Sequence, residues 1–88
     1  MLMPLYVQLV SPEEELFAGE ADFVAARTVE GEIGILPGHI PLLGQLKAPS
    51  NVKIKSPADE RNFEVQGGFI TVKDDKVIIL AEETEEPA

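Results

Sequence analysis

Hydrophobic and polar residues alternate with a period of two in several short stretches of the chain. Residues 5–9 read Leu-Tyr-Val-Gln-Leu, and the same alternation recurs at residues 52–55 and 63–66. A period of two directs successive side chains to opposite faces of a β-strand, one toward a core and one toward solvent. We therefore predict half-buried strands at these positions.

Two further regions predict more strands and the turns that follow or join them. Residues 23–29 are apolar and β-branched, and Gly31, two positions on, permits a turn. Residues 68–72 and 76–80 are also apolar, and they flank the polar link Lys-Asp-Asp at residues 73–75. Apolar runs separated by such a short polar link are typical of a β-hairpin.

Prolines and glycines leave little room for helices. The 88 residues include seven of each, which divide the apolar runs into short segments. Residues 11–14, Ser-Pro-Glu-Glu, begin like a capped helix, but Gly19 would end that helix within two turns. We interpret them as a turn. The whole pattern predicts an all-β fold of two packed antiparallel sheets, a β-sandwich or a flattened barrel.

The length of the chain allows one domain, and its charge excludes one class of partner. A chain of 88 residues has room for a single hydrophobic core. We expect the domain to occupy residues 1–83 and an acidic, flexible tail to occupy residues 84–88. Seven basic and 16 acidic side chains give a net charge of −9, which would repel a phosphate backbone. We therefore predict no nucleic-acid binding.

The residues that usually carry enzyme chemistry are scarce. The chain has no cysteine and only one histidine, His39, so thiolate nucleophiles and metal sites with two histidines are excluded. No serine lies in a G-x-S-x-G pattern, and the consecutive acids at residues 13–15 are typical of a solvated surface. We predict no catalytic residue, no metal and no cofactor. Because no apolar run approaches about 18 residues, we also expect a soluble protein.

The most informative segment is residues 31–44. It combines four glycines and two prolines with six large apolar residues. Each apolar side chain taken alone is explained by packing at the end of the sandwich. The segment as a whole favours a docking surface, because a loop rich in glycine and proline is stiff and can approach a partner closely. The apolar residues are Ile33, Ile35, Leu36, Ile40, Leu42 and Leu43.

At this segment the chain resembles the epsilon subunit of F-type ATP synthases. The main motif is Glu-Gly-Glu-Ile-Gly-Ile-Leu-Pro-Gly-His-Ile-Pro-Leu-Leu at residues 30–43. It is supported in the same order and spacing by Val-Ser-Pro at 10–12, Leu-Phe-Ala-Gly at 16–19, Gly-Gly-Phe at 67–69 and Val-Ile-Ile-Leu-Ala-Glu at 77–82. The resemblance extends from residue 4 to about residue 83.

The resemblance implies a flattened β-sandwich of about ten mainly antiparallel strands in a non-catalytic rotor subunit. Such a subunit binds the gamma subunit and the ring of c subunits, and it couples proton-driven rotation to ATP synthesis. As a peripheral subunit it is held at the cytoplasmic face of the bacterial cell membrane by the rest of the complex. Family members usually continue into two C-terminal helices that carry inhibition of hydrolysis and, in some bacteria, an ATP-binding motif. We expect no such hairpin here and transfer neither function.

The resemblance also assigns candidate contact residues. The turn formed by Gly31, Glu32, Ile33 and Gly34 matches the part of the family that faces the c ring, and Glu32 would supply a polar or charged contact. The following segment matches a region near both the gamma subunit and the ring, and within it we expect Ile40, Leu42 and Leu43 to be the apolar anchors. The segment comprises His39, Ile40, Pro41, Leu42 and Leu43.

The alternative hypothesis is a free-standing β-sandwich that binds a small ligand. The chain has no tryptophan and one tyrosine, so it lacks the aromatic platform that is common in such sites. Co-purification with the gamma subunit and the ring would separate the two hypotheses.

Overall fold

A computed structural model describes residues 4–38, 41–82 and 84–85. The described residues form ten β-strands and no helix, which confirms the all-β prediction and the expected number of strands. In that part of the chain there is accordingly no helix long and apolar enough to cross a membrane. The strands are β1 (Leu5–Val10), β2 (Glu15–Ala21), β3 (Phe23–Thr28), β4 (Gly31–Ile35), β5 (Leu42–Leu46), β6 (Ser50–Lys55), β7 (Glu60–Val65), β8 (Gly68–Lys73), β9 (Lys76–Ala81) and β10 (Thr84–Glu85).

The strands form one continuous sheet that folds over on itself. Their order is β10-β7-β6-β3-β5-β8-β9-β1-β2, and β4 pairs with β3 outside this path. All described pairs are antiparallel except β1 with β9, which is parallel. The prediction of a mainly antiparallel arrangement is therefore confirmed. With extents of 36 × 27 × 20 Å the domain is flattened, as expected of a sandwich.

The two halves of the sheet meet at a single residue pair. Thr28 at the end of β3 pairs with Leu46 at the end of β5, and no other residues of these two strands pair. The backbone hydrogen bonds there run from Val29 N–H to the Gln45 carbonyl and from Lys47 N–H to the Arg27 carbonyl, both at 3.0 Å. This corner joins the layer containing β3 to the layer containing β5.

The core contains the apolar faces that the alternation predicted. Leu5, Val7 and Leu9 of β1 are fully buried, as are Val52 on β6 and Val65 on β7. Burying an aliphatic side chain of this size contributes roughly 1.5–3 kcal/mol, so the inner faces of the strands supply the main stabilisation. Among the described residues, every buried polar side-chain atom has a hydrogen-bond partner.

The predicted turns at residues 11–14 and between residues 72 and 76 are confirmed. The Ser11 hydroxyl accepts hydrogen bonds from the N–H groups of Glu13 and Glu14 at 3.4 and 3.2 Å, and β2 begins directly afterwards. This side chain therefore caps a tight turn instead of a helix. In the β8–β9 hairpin Lys73 pairs with Lys76, so the link is the two residues Asp74 and Asp75.

Two residues of the expected tail over residues 84–88 pair with the sheet. Thr84 and Glu85 pair with Val65 and Glu64 as the short strand β10. Backbone hydrogen bonding to an edge strand therefore extends the sheet beyond the expected boundary. Residues 86–88 lie outside the described residues, and the domain boundary at residue 83 stays a prediction.

Candidate functional site

The β3–β4 hairpin positions the first predicted contact segment, Gly31 to Gly34. Gly31 begins β4 with a φ of 133°, a backbone conformation that residues other than glycine rarely adopt. The turn is closed by Thr28, whose hydroxyl donates to the Gly31 carbonyl at 2.7 Å and accepts from the Glu30 N–H at 3.2 Å. The buried threonine thus fixes the direction in which β4 starts.

Glu32 is exposed, but it already has a partner within the domain. It lies directly opposite Arg27 in the pairing of β3 with β4, and Arg27 Nη2 is 3.0 Å from Glu32 Oε1. The two side chains are 54% and 74% exposed. A surface ion pair of this kind contributes about 1 kcal/mol or less. Glu32 is therefore available to a stronger cationic partner at little cost to the fold.

The other members of this segment have structural roles. Ile33 is half-buried and packs against the core. Gly34 lies opposite Ala25, and a Cβ atom at Gly34 would lie 3.0 Å from Cε1 of the Phe23 ring. Glu32 is therefore the side chain that the segment presents most fully to solvent.

The structure describes part of the second predicted segment. His39 and Ile40 lie outside the described residues, and their assignments stay predictions. Pro41 is exposed. Leu42 is half-buried and packs against the core, whereas the side chain of Leu43 is 71% exposed. Because neighbouring strand residues point to opposite faces, Leu43 is the more accessible of the pair, and the assignment of both residues as anchors stays a prediction.

The two segments meet around one surface depression. Its volume is about 330 Å³, and it is lined by residues 28–33 on one side and by residues 42–45 on the other. Glu32 and Leu43 both line it, as does the exposed Val29. Contact residues that are separate in the sequence thus form a single concave rim, because the corner between Thr28 and Leu46 brings the ends of β3 and β5 together.

An apolar surface that the sequence analysis missed continues from Leu43. Phe69 on β8 and Leu80 on β9 form a cross-strand pair and are 46% and 48% exposed. Leu43 pairs with Thr71, two residues from Phe69, so these side chains lie on the same outer surface. We call Leu43, Phe69 and Leu80 the outer apolar face. The sequence could have indicated this surface. In residues 68–72 and 76–80 the odd-numbered and the even-numbered positions are both largely apolar, so each strand presents apolar side chains on both of its faces.

The described side chains form no metal centre. Among residues 4–38 and 41–82, no three histidine, aspartate or glutamate side chains gather in a way that would hold a metal ion. The rim and the outer apolar face place two exposed carboxylates, those of Glu30 and Glu32, beside exposed apolar groups, a combination that suits protein recognition.

Comparison with known proteins identifies the family. Residues 4–87 match the family model described as "ATP synthase, Delta/Epsilon chain, beta-sandwich domain". The ATP synthase epsilon chain of Frankia casuarinae is 50% identical over 80 residues, which cover 91% of this chain and 94% of the relative. The epsilon chain of Thermobifida fusca is 52% identical over 81 residues, which cover 89% of this chain and 59% of the relative. The chain therefore spans almost all of one relative and about three fifths of the other.

Solved structures share the fold. A chain in the Euglena gracilis mitochondrial ATP synthase, in a structure of OSCP, F1 and the c-ring, superimposes with a TM-score of 0.86 at 24% identity and covers 94% of this chain and 53% of its own. A chain in the central stalk and c-ring structure of the Tetrahymena thermophila mitochondrial ATP synthase gives a TM-score of 0.82 at 20% identity. The match covers 97% of this chain and 68% of the Tetrahymena chain. Together with the family model and the epsilon-chain relatives, these matches show that the chain belongs to the delta/epsilon-chain family of ATP synthases and carries its β-sandwich domain.

Proposed function

We propose that this protein is a non-catalytic central-stalk subunit of an F-type ATP synthase. It binds the gamma subunit and the ring of c subunits, and it couples rotation of the ring to ATP synthesis. The observation that carries the proposal is the identity with ATP synthase epsilon chains along nearly the whole described domain. The concave rim supports it, because the two segments expected to contact the partners lie beside each other there.

The outer apolar face is the surface that would bind the gamma subunit. Exposed apolar groups that lie together drive association when a partner removes them from water. Phe69 supplies the aromatic group that is often found among the energetically dominant residues of an interface. The neighbouring His39, Ile40 and Pro41 would extend the same contact.

Glu32 would make the contact with the c ring. It projects from the β3–β4 hairpin and is 74% exposed, so a basic or hydrogen-bonding group on the ring can reach it. Exchanging one surface ion pair for another changes the free energy little. The contact would therefore guide docking more than it would tighten it.

The sheet itself would transmit the torque. From β10 to β2 the backbone hydrogen bonds run without a break, and one core lies inside the fold. Close-packed interiors have low compressibility and transmit strain. A domain of this construction moves with its partners instead of deforming between them.

The complex would hold the protein at the cytoplasmic face of the bacterial cell membrane as a peripheral subunit. With a net charge of −9 the chain would be repelled by the anionic lipids of that surface. Attachment through the gamma subunit and the c ring therefore accounts better for its position than direct adsorption to lipid. The proposal includes no cofactor.

Co-purification tests the proposal. We expect the affinity-tagged chain, expressed in its source organism, to retain the gamma subunit and the c ring after solubilisation in mild detergent. An equally tagged, unrelated acidic protein of similar size is the control for charge. Recovery of the tagged chain alone would contradict the proposal and favour the alternative, a free-standing β-sandwich that binds a small ligand.

A further inference from the structure

Two lysines lie directly opposite each other at the end of the β8–β9 hairpin. Lys73 pairs with Lys76 in the antiparallel register, so the two side chains project from the same side of the sheet, and both residues are exposed. Like charges in directly opposite positions of two strands destabilise a sheet. The chain has seven basic and 16 acidic residues, so its composition does not account for two basic residues in one pair.

The lysine pair has no counterion in the described part of the domain, although two aspartates form the turn between the lysines. The Asp75 carboxylate is directed elsewhere, because its Oδ1 atom accepts a hydrogen bond from the Gly38 N–H at 2.6 Å. Within the described residues neither lysine side chain makes an ion pair or a hydrogen bond, with Asp74 or with any other group. Both charges are therefore available to a group from outside the chain.

The pair borders the outer apolar face. Because every second residue of a strand faces the same way, Lys73 lies on the same side of the sheet as Phe69, four positions earlier on β8. Lys76 and Leu80 are related in the same way on β9. The residue that pairs with Leu43 lies two positions before Lys73, a distance of about 7 Å along the strand. A partner that covers the outer apolar face therefore reaches the lysines at its polar rim.

The position of the pair in the fold favours the gamma subunit over the c ring. Glu32, the proposed ring contact, lies on the hairpin that ends at the corner between Thr28 and Leu46. On β8 the residue at the corner is Gly68, which pairs with Leu46, whereas the lysines lie at the other end of the hairpin. A strand of this length spans roughly 17 Å. The pair is therefore at the end of the domain that is away from the ring and from the lipid around it.

We propose that Lys73 and Lys76 together bind a carboxylate of the gamma subunit at the edge of the outer apolar face. This inference rests on the proposed function and adds a charged contact to it. A carboxylate between the two ammonium groups offsets their repulsion and makes charge-assisted bonds to both. The rest of the chain is strongly acidic, so the pair favours the one orientation in which that carboxylate meets positive charge. Tyr6 on β1 lies on the far side of Lys76 and outside this contact.

Two variants of the pair separate binding from stability. Lys76→Glu places a carboxylate opposite Lys73, so we expect the melting temperature to rise while the affinity for the purified gamma subunit falls about tenfold or more. The double variant Lys73→Gln with Lys76→Gln removes the repulsion, so its melting temperature should stay unchanged or rise. It should associate with the gamma subunit about tenfold more slowly at low salt, and the difference should shrink as the ionic strength increases.

The matched control removes two lysines from the other layer. Lys53→Gln with Lys55→Gln changes the outer side of β6, because the buried residues of that strand are Val52 and Ile54 between them. The control lowers the net charge by the same amount as each variant of the pair. We expect it to bind the gamma subunit like the unaltered chain.

A vesicle assay tests the other anionic partner. We expect the unaltered chain not to bind vesicles of phosphatidylglycerol and phosphatidylcholine. Vesicle binding that requires the two lysines, with gamma binding unaffected by their loss, would assign the pair to lipid and overturn the proposal. Equal gamma binding by the lysine variants and the control would also overturn it and leave the proposed function intact, as would a fall in melting temperature that matches the loss of binding. If the unaltered chain did not bind the gamma subunit, the proposed function would fall and this contact with it.

Discussion

Arg27 and Glu32 face each other across β3 and β4, with 3.0 Å between Arg27 Nη2 and Glu32 Oε1. The charge proposed to meet the c ring is thus held by a neighbouring cation in the isolated domain. The pairing supplies a way to separate the role of the ion pair from the role of the carboxylate, because either partner can be neutralised alone.

We expect Glu32→Gln to slow association with the c ring and to reduce the dependence of the association rate on salt, with a smaller change in affinity. Charges at the edge of an interface act chiefly on the encounter rate. Arg27→Gln breaks the same ion pair but retains the carboxylate, so it should leave the salt dependence of ring binding largely intact. Association rates measured at several ionic strengths test this, and a Glu32→Gln variant with unchanged salt dependence would refute the contact.

Leu42→Asp should chiefly lower the stability of the domain, whereas Leu43→Asp should chiefly weaken binding to the gamma subunit. Leu42 packs against the core, so a charge there should reduce the free energy of unfolding by about 2–4 kcal/mol. Leu43 is 71% exposed, so the same change should cost less than about 1 kcal/mol while strongly weakening gamma binding. Thermal melts and pull-downs of both variants test this, with Asn51→Asp on the exposed side of β6 as a control. A Leu43→Asp variant that binds normally would remove Leu43 from the interface.

Phe69→Ala should weaken gamma binding about tenfold or more, because an aromatic residue beside Leu43 and Leu80 would be enclosed by the partner. Since Phe69 is half-exposed in the free domain, the cost in stability should be only about 1 kcal/mol. Tyr6→Ala removes a similarly exposed aromatic ring from the start of β1 and should leave binding unchanged. Titration calorimetry decides the point. Equal losses in the two variants would show that the outer apolar face is wrongly bounded.

Gly68→Ala should destabilise the fold by about 3 kcal/mol. Gly68 has a φ of 126°, and a Cβ atom there would collide with the backbone oxygen of Leu80, which cannot move without breaking the β8–β9 pairing. Gly19→Ala is the control, since its nearest contact would be an ordinary 3.7 Å from Phe17. Chemical denaturation of both variants gives the comparison. Equal stability would mean that the hairpin accommodates a side chain.

The strands at residues 5–9, 23–29, 52–55, 63–66, 68–72 and 76–80 were predictable because each needs only a local pattern. The alternation at residues 5–9 and the hairpin around Asp74 and Asp75 correspond directly to β1, β8 and β9. The interpretation of residues 31–44 as a loop was wrong in part, because β4 and most of β5 lie within them. The candidate site was predictable in part. Glycine and proline content indicated the segment, but which of Leu42 and Leu43 points outward depends on the pairing of β5 with β8, which no local pattern specifies.

Long-range contacts explain what the sequence analysis missed. The Arg27–Glu32 pair follows from the register of the β3–β4 hairpin, and the bond from Gly38 to Asp75 joins loops that are 37 residues apart. The exposure of Phe69 depends on which face of β8 packs against the other half of the sheet, and only the tertiary structure determines that face. Strand β10 was missed because an acidic sequence carries no strand signal, although its backbone bonds to β7.

The corner between Thr28 and Leu46 lies between the two surfaces proposed to meet the partners. Glu32 projects just beyond one side of it and Leu43 just before the other, so a force exchanged between ring and shaft crosses only a few peptide units. Such a short path contains few rotatable backbone bonds. We therefore expect the two contacts to keep a fixed separation when the ring turns, so that rotation reaches the shaft with little lag.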